Sequence, residues 1–191
     1  MHNVITYTVK LAAVACDTPA RCFVKNVKGH SGYHGCDKCT QEGEYYEHRM
    51  TFPEISAPLR TDISFAEMRD EDHHLGPSPF GNLSFGMISA FPLDYMHLVC
   101  LGSVCKLTYW WIKGPLTVRL GSHVIRGLSD ALVLHRNEMP GEFARKPRSV
   151  SELDRWKATE LRQFLLYTGP VCLKNLIPEK MLCYCLWQCS S

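Results

Sequence analysis

The amino-acid sequence predicts an α+β protein that is mostly helical. The prediction rests on an apolar, β-branched stretch near the start, on helical signals that recur after residue 90, and on a hydrophobic content of 46%. Residues 4–16 alternate at first and become continuously apolar from Leu11 to Ala15, which is typical of a strand buried on both faces. A chain of 191 residues is long enough for one domain with its own core.

Composition sets limits on the class of protein. The charged fraction is 21%, which argues against disorder, and the net charge of +2 does not by itself indicate a nucleic-acid binder. Residues 1–10 carry no secretory signal, so the ten cysteines indicate a reducing compartment, with free thiols or metal ligands rather than disulfides. No run of about 18 apolar residues occurs, and we therefore expect no membrane span.

Helices are expected along most of the remaining chain. The first should cover residues 19–28, with Phe23 and Val27 on one face and Gly29 at its end. The apolar stretch from Asp94 to about Ile112 predicts a helix that is deeply buried all round. Other helices are predicted over residues 64–73, 122–135 and 151–168, the last of them ended by Gly169 and Pro170.

Asp17 closes the predicted strand and precedes Pro19. An aspartate at this position is a common helix N-cap, and a proline two residues later fits the first helical turn. A carboxylate at the carboxyl end of a strand is also where α/β sheets place their sites. The two interpretations are compatible, and the local sequence does not choose between them.

The stretch GHSGYHGCDKC (residues 29–39) is the most specific motif of the chain. Cys36 and Cys39 have the Cys-x-x-Cys spacing that places two thiolates on one tetrahedral zinc, and the preceding glycines allow the tight turn. A redox pair and unliganded surface thiols are the alternatives. Two pairs of histidines, His30 with His34 and His73 with His74, are candidates for further ligands. A non-ligating role is the simpler interpretation for both pairs, with His73 and His74 exposed at the end of a helix.

Two further sets of residues carry functional hypotheses. Asp94 and His97 are three residues apart and would share one face of a helix, although a helix cap with a core histidine explains them equally well. Positive residues cluster at Arg145, Lys146 and Arg148, and again at Arg155. Such a cluster is most often a solvated face, and contact with DNA is the functional alternative.

Four separated blocks together resemble a known family. They are CDTPAR (16–21), GHSGYHGCDKCTQEGE (29–44), FPLDYMHLVCLG (91–102), and FARKPRS with ELDRWKATELRQFLLYTGP (143–170). In this order they are similar to the catalytic region of CACTA-type DDE transposases of animal genomes, over about residues 14–179. No single one of the motifs is as specific as the ordered set.

The resemblance implies a partial RNase H-like core of one or two strands, followed by a helical, zinc-binding insertion. Residues 1–28 would belong to the core, 29–180 to the insertion, and 181–191 to a divergent tail. Asp17 would match the second catalytic acid and a Mg²⁺ ligand, Cys36 and Cys39 the cysteine half of a zinc site, and Asp94 with His97 the family's Asp-x-x-His signature. DNA (transposon ends), a nuclear location and a homo-oligomer would follow from the same likeness.

The chain also departs from the family pattern. The first catalytic Asp would lie before residue 1, and the His-x-x-x-His half of the zinc site and the final Glu would lie beyond residue 179. We therefore expect a truncated, inactive fragment with a partial zinc site, whose ancestral activity is DNA strand cleavage and transfer. A zinc-stabilised helical interaction module without catalytic activity is the alternative from another class.

Overall fold

The computed structural model describes residues 7–178, and these form two compact units. We call residues 7–94 the N-terminal unit and residues 95–178 the C-terminal unit. The fold is α+β and mostly helical, which confirms the coarse class predicted from the sequence. Of the described helices, none is long and apolar enough to cross a membrane.

The N-terminal unit has short elements joined by long ordered segments. Its elements are α1 (Thr18–Lys25), β1 (Glu44–Tyr46), β2 (Arg49–Thr51) and α2 (Asp62–Ala66). The two strands form an antiparallel hairpin in which Tyr45 is paired with Met50. The core of this unit consists of Val27, Phe65, Met87, Ile88 and Phe91.

The buried strand predicted over residues 4–16 is wrong across its described part, residues 7–16. These residues are in no sheet, and Val9 is 90% exposed. One backbone hydrogen bond, from Val14 N to Ala90 O at 2.8 Å, attaches the segment to the rest of the unit. β-branched residues favour strands because they pack on a pleated neighbour, and no described strand lies beside this segment.

Helix α1 begins as predicted but buries the opposite face. It ends at Lys25 because Asn26 adopts a left-handed conformation with φ of 54° and its N–H closes the last turn. Phe23, which belongs to the apolar face predicted for this helix, is 83% exposed, whereas Lys25 is fully buried and Arg21 is nearly so. Val27 is buried as expected, but it lies beyond the end of the helix. The positive side chains therefore face the interior of the unit.

The C-terminal unit is helical throughout its regular elements. A π-helical segment (Met96–Val104) continues into α3 (Cys105–Lys113), followed by α4 (Ser122–Leu134), a 3-10 turn (His135–Asn137), a 3-10 segment (Val150–Arg155), α5 (Ala158–Gln163), a second π-helical segment (Phe164–Thr168) and α6 (Gly169–Leu173). Its core includes Trp111, Leu128, Leu132, Leu161 and Phe164.

The long apolar helix is amphipathic in its packing, although its sequence is apolar on most sides. Cys100, Val104, Thr108 and Trp111 recur every three or four residues and are buried. Side chains on other faces are exposed by two fifths or more, namely those of Met96, Leu98, Leu101, Tyr109 and Trp110. The expectation of burial all round is therefore wrong, because the helix contacts its unit along one side.

The helix predicted over residues 151–168 is interrupted in the structure and continues beyond its predicted end. It is interrupted after the 3-10 segment, and it does not stop at Gly169, which opens α6. The wide π-helical turn brings Phe164 O within 2.4 Å of where a Cβ on Gly169 would lie, so glycine is required there. The Gly-Pro pair thus continues a helix across a π-bulge, where sequence rules predict a stop.

An ion pair between Arg148 and the buried Glu160 fixes the loop before α5. Arg148 donates from Nε to Glu160 Oε1 at 2.7 Å and from Nη2 to Oε2 at 2.9 Å. Glu160 also accepts the backbone N–H of Lys157 at 2.8 Å, which completes a cap at the start of α5. This arrangement gives Glu160 a structural role, as its place on an amphipathic helix suggests.

Candidate functional site: the thiol turn and its charged surroundings

Asp17 is the N-cap of α1. Its Oδ1 accepts a hydrogen bond from Ala20 N at 2.9 Å, and its main-chain carbonyl accepts one from Arg21 N. The cap interpretation is therefore confirmed. The described residues before Asp17 form no strand, so Asp17 does not lie at the end of one. Its role as a metal ligand stays a prediction.

The thiol turn (residues 36–39) brings two sulfur atoms together. Cys36 Sγ and Cys39 Sγ lie 3.1 Å apart, as the spacing predicts for a pair that can share one ion. Gly35 makes the approach possible, because a Cβ there would lie 2.0 Å from Gly29 O. Arg60 also holds the turn, with its Nε donating to Cys36 O at 3.1 Å and its backbone N–H donating to Lys38 O at 2.9 Å.

The two thiols differ in their surroundings. Burial raises the pKa of Cys36, and its hydrogen bond with Cys39 acts in the same direction. Burial would also raise the pKa of Cys39, but hydrogen bonds from the side chain and backbone of Gln41 outweigh it and the pKa is lowered. Cys39 is therefore the more readily ionised of the two thiols, and a pair of sulfur donors suits a soft cation.

A carboxylate inside the thiol turn organises its surroundings. We call Arg21, Lys25, Asp37 and Lys38 the Asp37 cluster. Asp37 lies 2.6 Å from Lys25 Nζ, 3.5 Å from Arg21 Nε and 3.5 Å from Lys38 Nζ. Burial would raise the pKa of Asp37, but the adjacent Lys25 charge outweighs it, so the pKa is lowered and the carboxyl stays ionised.

The cations of the cluster also reach the core. Lys25 Nζ lies 5.0 Å from the ring centroid of Phe91, and burial lowers the pKa of this lysine against the opposing effect of Asp37. Lys38 Nζ donates to Ile88 O at 3.0 Å and to Phe91 O at 2.9 Å. The cluster therefore joins α1, the thiol turn and residues 88–91 through charged and π contacts.

One of the candidate histidines lies differently from the sequence expectation. His73, expected at the surface, is fully buried, and its Nδ1–H donates to His34 O at 2.7 Å. Nε2 is also buried, and no described residue gives it a hydrogen bond. His34 and His74 line a cleft of about 470 Å³ together with Arg60 and Asp70.

The other candidate residues fall on either side of the boundary between the two units. Asp94 ends the N-terminal unit, immediately before the first helical residue, and His97 lies in the π-helical segment of the C-terminal unit. Throughout residues 7–178, no three or more His, Cys, Asp or Glu side chains gather into a group that could hold a metal ion. The thiol turn thus offers two ligands, and the rest of a zinc site stays a prediction.

The predicted DNA contacts are partly occupied within the C-terminal unit. Arg148 is paired with Glu160 and donates from Nη2 to Arg155 O, and Lys146 Nζ donates to Met139 O at 2.6 Å. Arg145 is exposed and lies 3.8 Å from Glu160, and Arg155 is also exposed. Much of this positive charge is therefore balanced by the protein itself.

Comparisons with known proteins identify no relative. No family model matches the sequence, and no significant match was found among curated proteins or solved structures.

Replacing Asp37 by Asn is expected to destabilise the N-terminal unit by about 3 to 5 kcal/mol, because it leaves the buried Lys25 without its counter-charge. Hydrogen exchange of peptides covering α1, followed by mass spectrometry, measures the effect where it occurs. Asp72→Asn is the control, since that side chain is 73% exposed and lies 3.8 Å from Lys28. Equal protection of α1 in the two variants would contradict the assigned role.

The stability of the N-terminal unit should fall as pH decreases from about 6.5 to about 4. Burial lowers the pKa of His73 to about 4, so over this range the unfolded chain binds a proton that the folded chain does not. The loss should approach ~3 kcal/mol. Hydrogen exchange measured across the pH range gives the free energy of unfolding of the unit as a function of pH. This dependence should be flatter in His73→Asn and unchanged in the exposed control His48→Asn. A slope that both variants retain would refute the assignment.

Proposed function

We propose that the chain is part of a CACTA-type DDE transposase catalytic region, with Asp17 and Asp94 contributing to one acidic site. The observation that supports this proposal is that the segment containing Asp17 contacts the segment that leads to Asp94. Val14 N donates to Ala90 O at 2.8 Å, and Arg21 Nη1 lies 3.5 Å from Pro92 O. Asp17 lies between the two anchored residues of the first segment, and Asp94 follows Pro92 by two residues. This proximity, together with the ordered sequence blocks, supports the proposal.

Two-metal catalysis limits what such a site can do. One ion activates the attacking oxygen and the other stabilises the leaving oxygen, and Mg²⁺ relies on carboxylates from several elements. The resemblance assigns two acidic residues here, and one oxygen of Asp17 is already engaged with Ala20 N. We therefore propose that the chain as given holds a divalent ion weakly and does not cut or join DNA by itself.

The thiol turn would supply the cysteine half of a zinc site. Two soft donors 3.1 Å apart, one with a lowered pKa, fit a thiophilic cation such as Zn²⁺. A bound ion would replace the proton shared by the sulfurs and tie the turn more firmly to Arg60 and Gln41. Cys36 and Cys39 are the residues that would hold it.

A zinc-stabilised helical interaction module is the second candidate. The observation that favours it is the convergence of structural contacts on the thiol turn. Gln41 Nε2 donates to Glu54 O at 2.8 Å and lies 3.4 Å from Cys39 Sγ, and Cys39 forms an isolated backbone bridge with Leu59. In this alternative the metal would stabilise the unit, and no acidic site would be needed.

Zinc binding is expected to depend on both cysteines. Titration of the reduced chain with Co²⁺ as a spectroscopic substitute should give thiolate-to-metal absorption that disappears in Cys36→Ser and in Cys39→Ser. Cys22→Ser is the control, because this thiol is partly exposed and lies outside the turn. Absorption that survives in both turn variants would rule out the proposed ligands, and a disulfide formed without metal would favour the redox alternative.

The acidic site is tested with Mn²⁺, whose binding is followed by electron paramagnetic resonance. Asp17→Asn keeps the helix cap, because Asn and Asp cap equally well, but it removes the charge. Loss of a metal ligand should weaken Mn²⁺ binding by about tenfold or more, both in this variant and in Asp94→Asn.

Asp72→Asn, an exposed carboxylate, serves as the control. Unchanged Mn²⁺ affinity in either site variant would remove that residue from the proposal. In a parallel assay with Mn²⁺ and terminal-repeat DNA, we expect no strand cleavage. Cleavage that is lost in Asp17→Asn and kept in Asp72→Asn would confirm the acidic site and overturn the proposed inactivity.

A further inference from the structure

Helix α3 carries a surface strip of alternating lysines and aromatic rings. Lys106, Tyr109, Trp110 and Lys113 are spaced at i, i+3, i+4 and i+7, which places them on one helical face. Tyr109 is 45% exposed and Trp110 is 47% exposed. We call these four residues the lysine–aromatic face.

Each lysine lies against one of the rings. Lys106 Nζ is 5.1 Å from the ring centroid of Trp110, and Lys113 Nζ is 5.6 Å from that of Tyr109. Such contacts hold exposed rings in defined orientations and place positive charge beside them. The same helix packs into its unit through Thr108 and Trp111, which are 1% and 5% exposed. The exposed rings are therefore not required to fill the core.

The charge of this face is positive. The sequence of α3, CKLTYWWIK, contains two lysines and no acidic residue. Lys113 also pairs with Asp154 of the neighbouring 3-10 segment, a carboxylate that is 66% exposed. Lys106 is thus the principal cation of the face, and the charge at Lys113 is partly balanced.

We propose that the lysine–aromatic face binds single-stranded nucleic acid, with bases stacked on Tyr109 and Trp110 and phosphates contacted by Lys106 and Lys113. Single strands combine anionic phosphates with accessible flat rings, and proteins bind them through positive grooves and aromatic platforms. A duplex fits less well, because its bases are already stacked on one another. An acidic peptide also fits less well, because it offers negative charge but no flat ring to stack on each aromatic side chain. The proposal goes beyond the transposase assignment and does not depend on it.

The test uses the full chain and a fluorescently labelled single-stranded oligonucleotide of mixed sequence, with binding followed by anisotropy. Trp110→Leu keeps an apolar side chain but removes the aromatic ring, and we expect it to weaken binding by about 5- to 100-fold. Tyr46→Leu is the matched control, since Tyr46 is 64% exposed in the hairpin of the other unit. Thermal unfolding monitored by circular dichroism checks that the variants remain folded.

An abasic oligonucleotide of the same length separates stacking from charge. The native chain should bind it at least as weakly as Trp110→Leu binds the normal strand, because an abasic strand offers no base to Tyr109 or to Trp110. Equal affinity of the native chain for the two strands would overturn the stacking role. Tighter binding to a duplex of the same sequence would overturn the preference for single strands.

The lysines are tested through salt dependence. Lys106→Ala should reduce the slope of log K against log salt by about 0.7, the value for one phosphate contact to a single strand. Lys174→Ala, an exposed lysine elsewhere in the same unit, should leave the slope unchanged. Asp154→Asn should release Lys113 and strengthen binding about two- to fivefold at low salt. An unchanged slope in Lys106→Ala, or unchanged affinity in Asp154→Asn, would contradict the assigned phosphate contacts.

Discussion

The N-terminal unit depends on one largely buried carboxylate, Asp37, whose side chain is 11% exposed. A charge removed from water is costly unless opposite charges and donors replace the lost solvation. Asp37 accepts a hydrogen bond from Lys25 and has the positive charges of Arg21 and Lys38 at 3.5 Å. Since Arg21 and Lys25 both belong to α1, that helix must turn its positive side inward. The inversion explains why Phe23 is exposed while a lysine of the same helix has no accessible surface.

The C-terminal unit uses the same device with different residues. Glu160 is 5% exposed, and it holds the guanidinium of Arg148 in a two-bond fork while capping the start of α5. Arg148 in turn donates to the carbonyl of Arg155. In both units, then, a largely buried acid joins two segments through a pair of residues 12 apart in the sequence, and short helices are positioned by charge as well as by apolar packing.

Sequence rules predicted the features that depend on neighbouring residues. The Asp17 cap, the close approach of Cys36 and Cys39, and the helical character after residue 90 each follow from local spacing. Features set by distant partners were missed. The burial of His73 depends on the carbonyl of His34, 39 residues away along the chain, and that of Lys25 on Asp37. The sequence contains one sign of these buried cations, which is Asp37 between Cys36 and Cys39. An aspartate enclosed in such a turn needs positive charges beside it.

The distribution of positive charge shows why a basic cluster in sequence is a poor guide to an anionic partner. The cluster that begins at Arg145 contains more cations than α3. However, Arg148 donates hydrogen bonds to Glu160, and Lys146 donates to a backbone carbonyl. Lys106 lies against an exposed indole and remains exposed itself. An anion gains most from a cation that has not already been neutralised by the protein, so a face with fewer positive residues can be the better electrostatic site. Aromatic rings beside such a cation add stacking, which a purely basic loop does not provide.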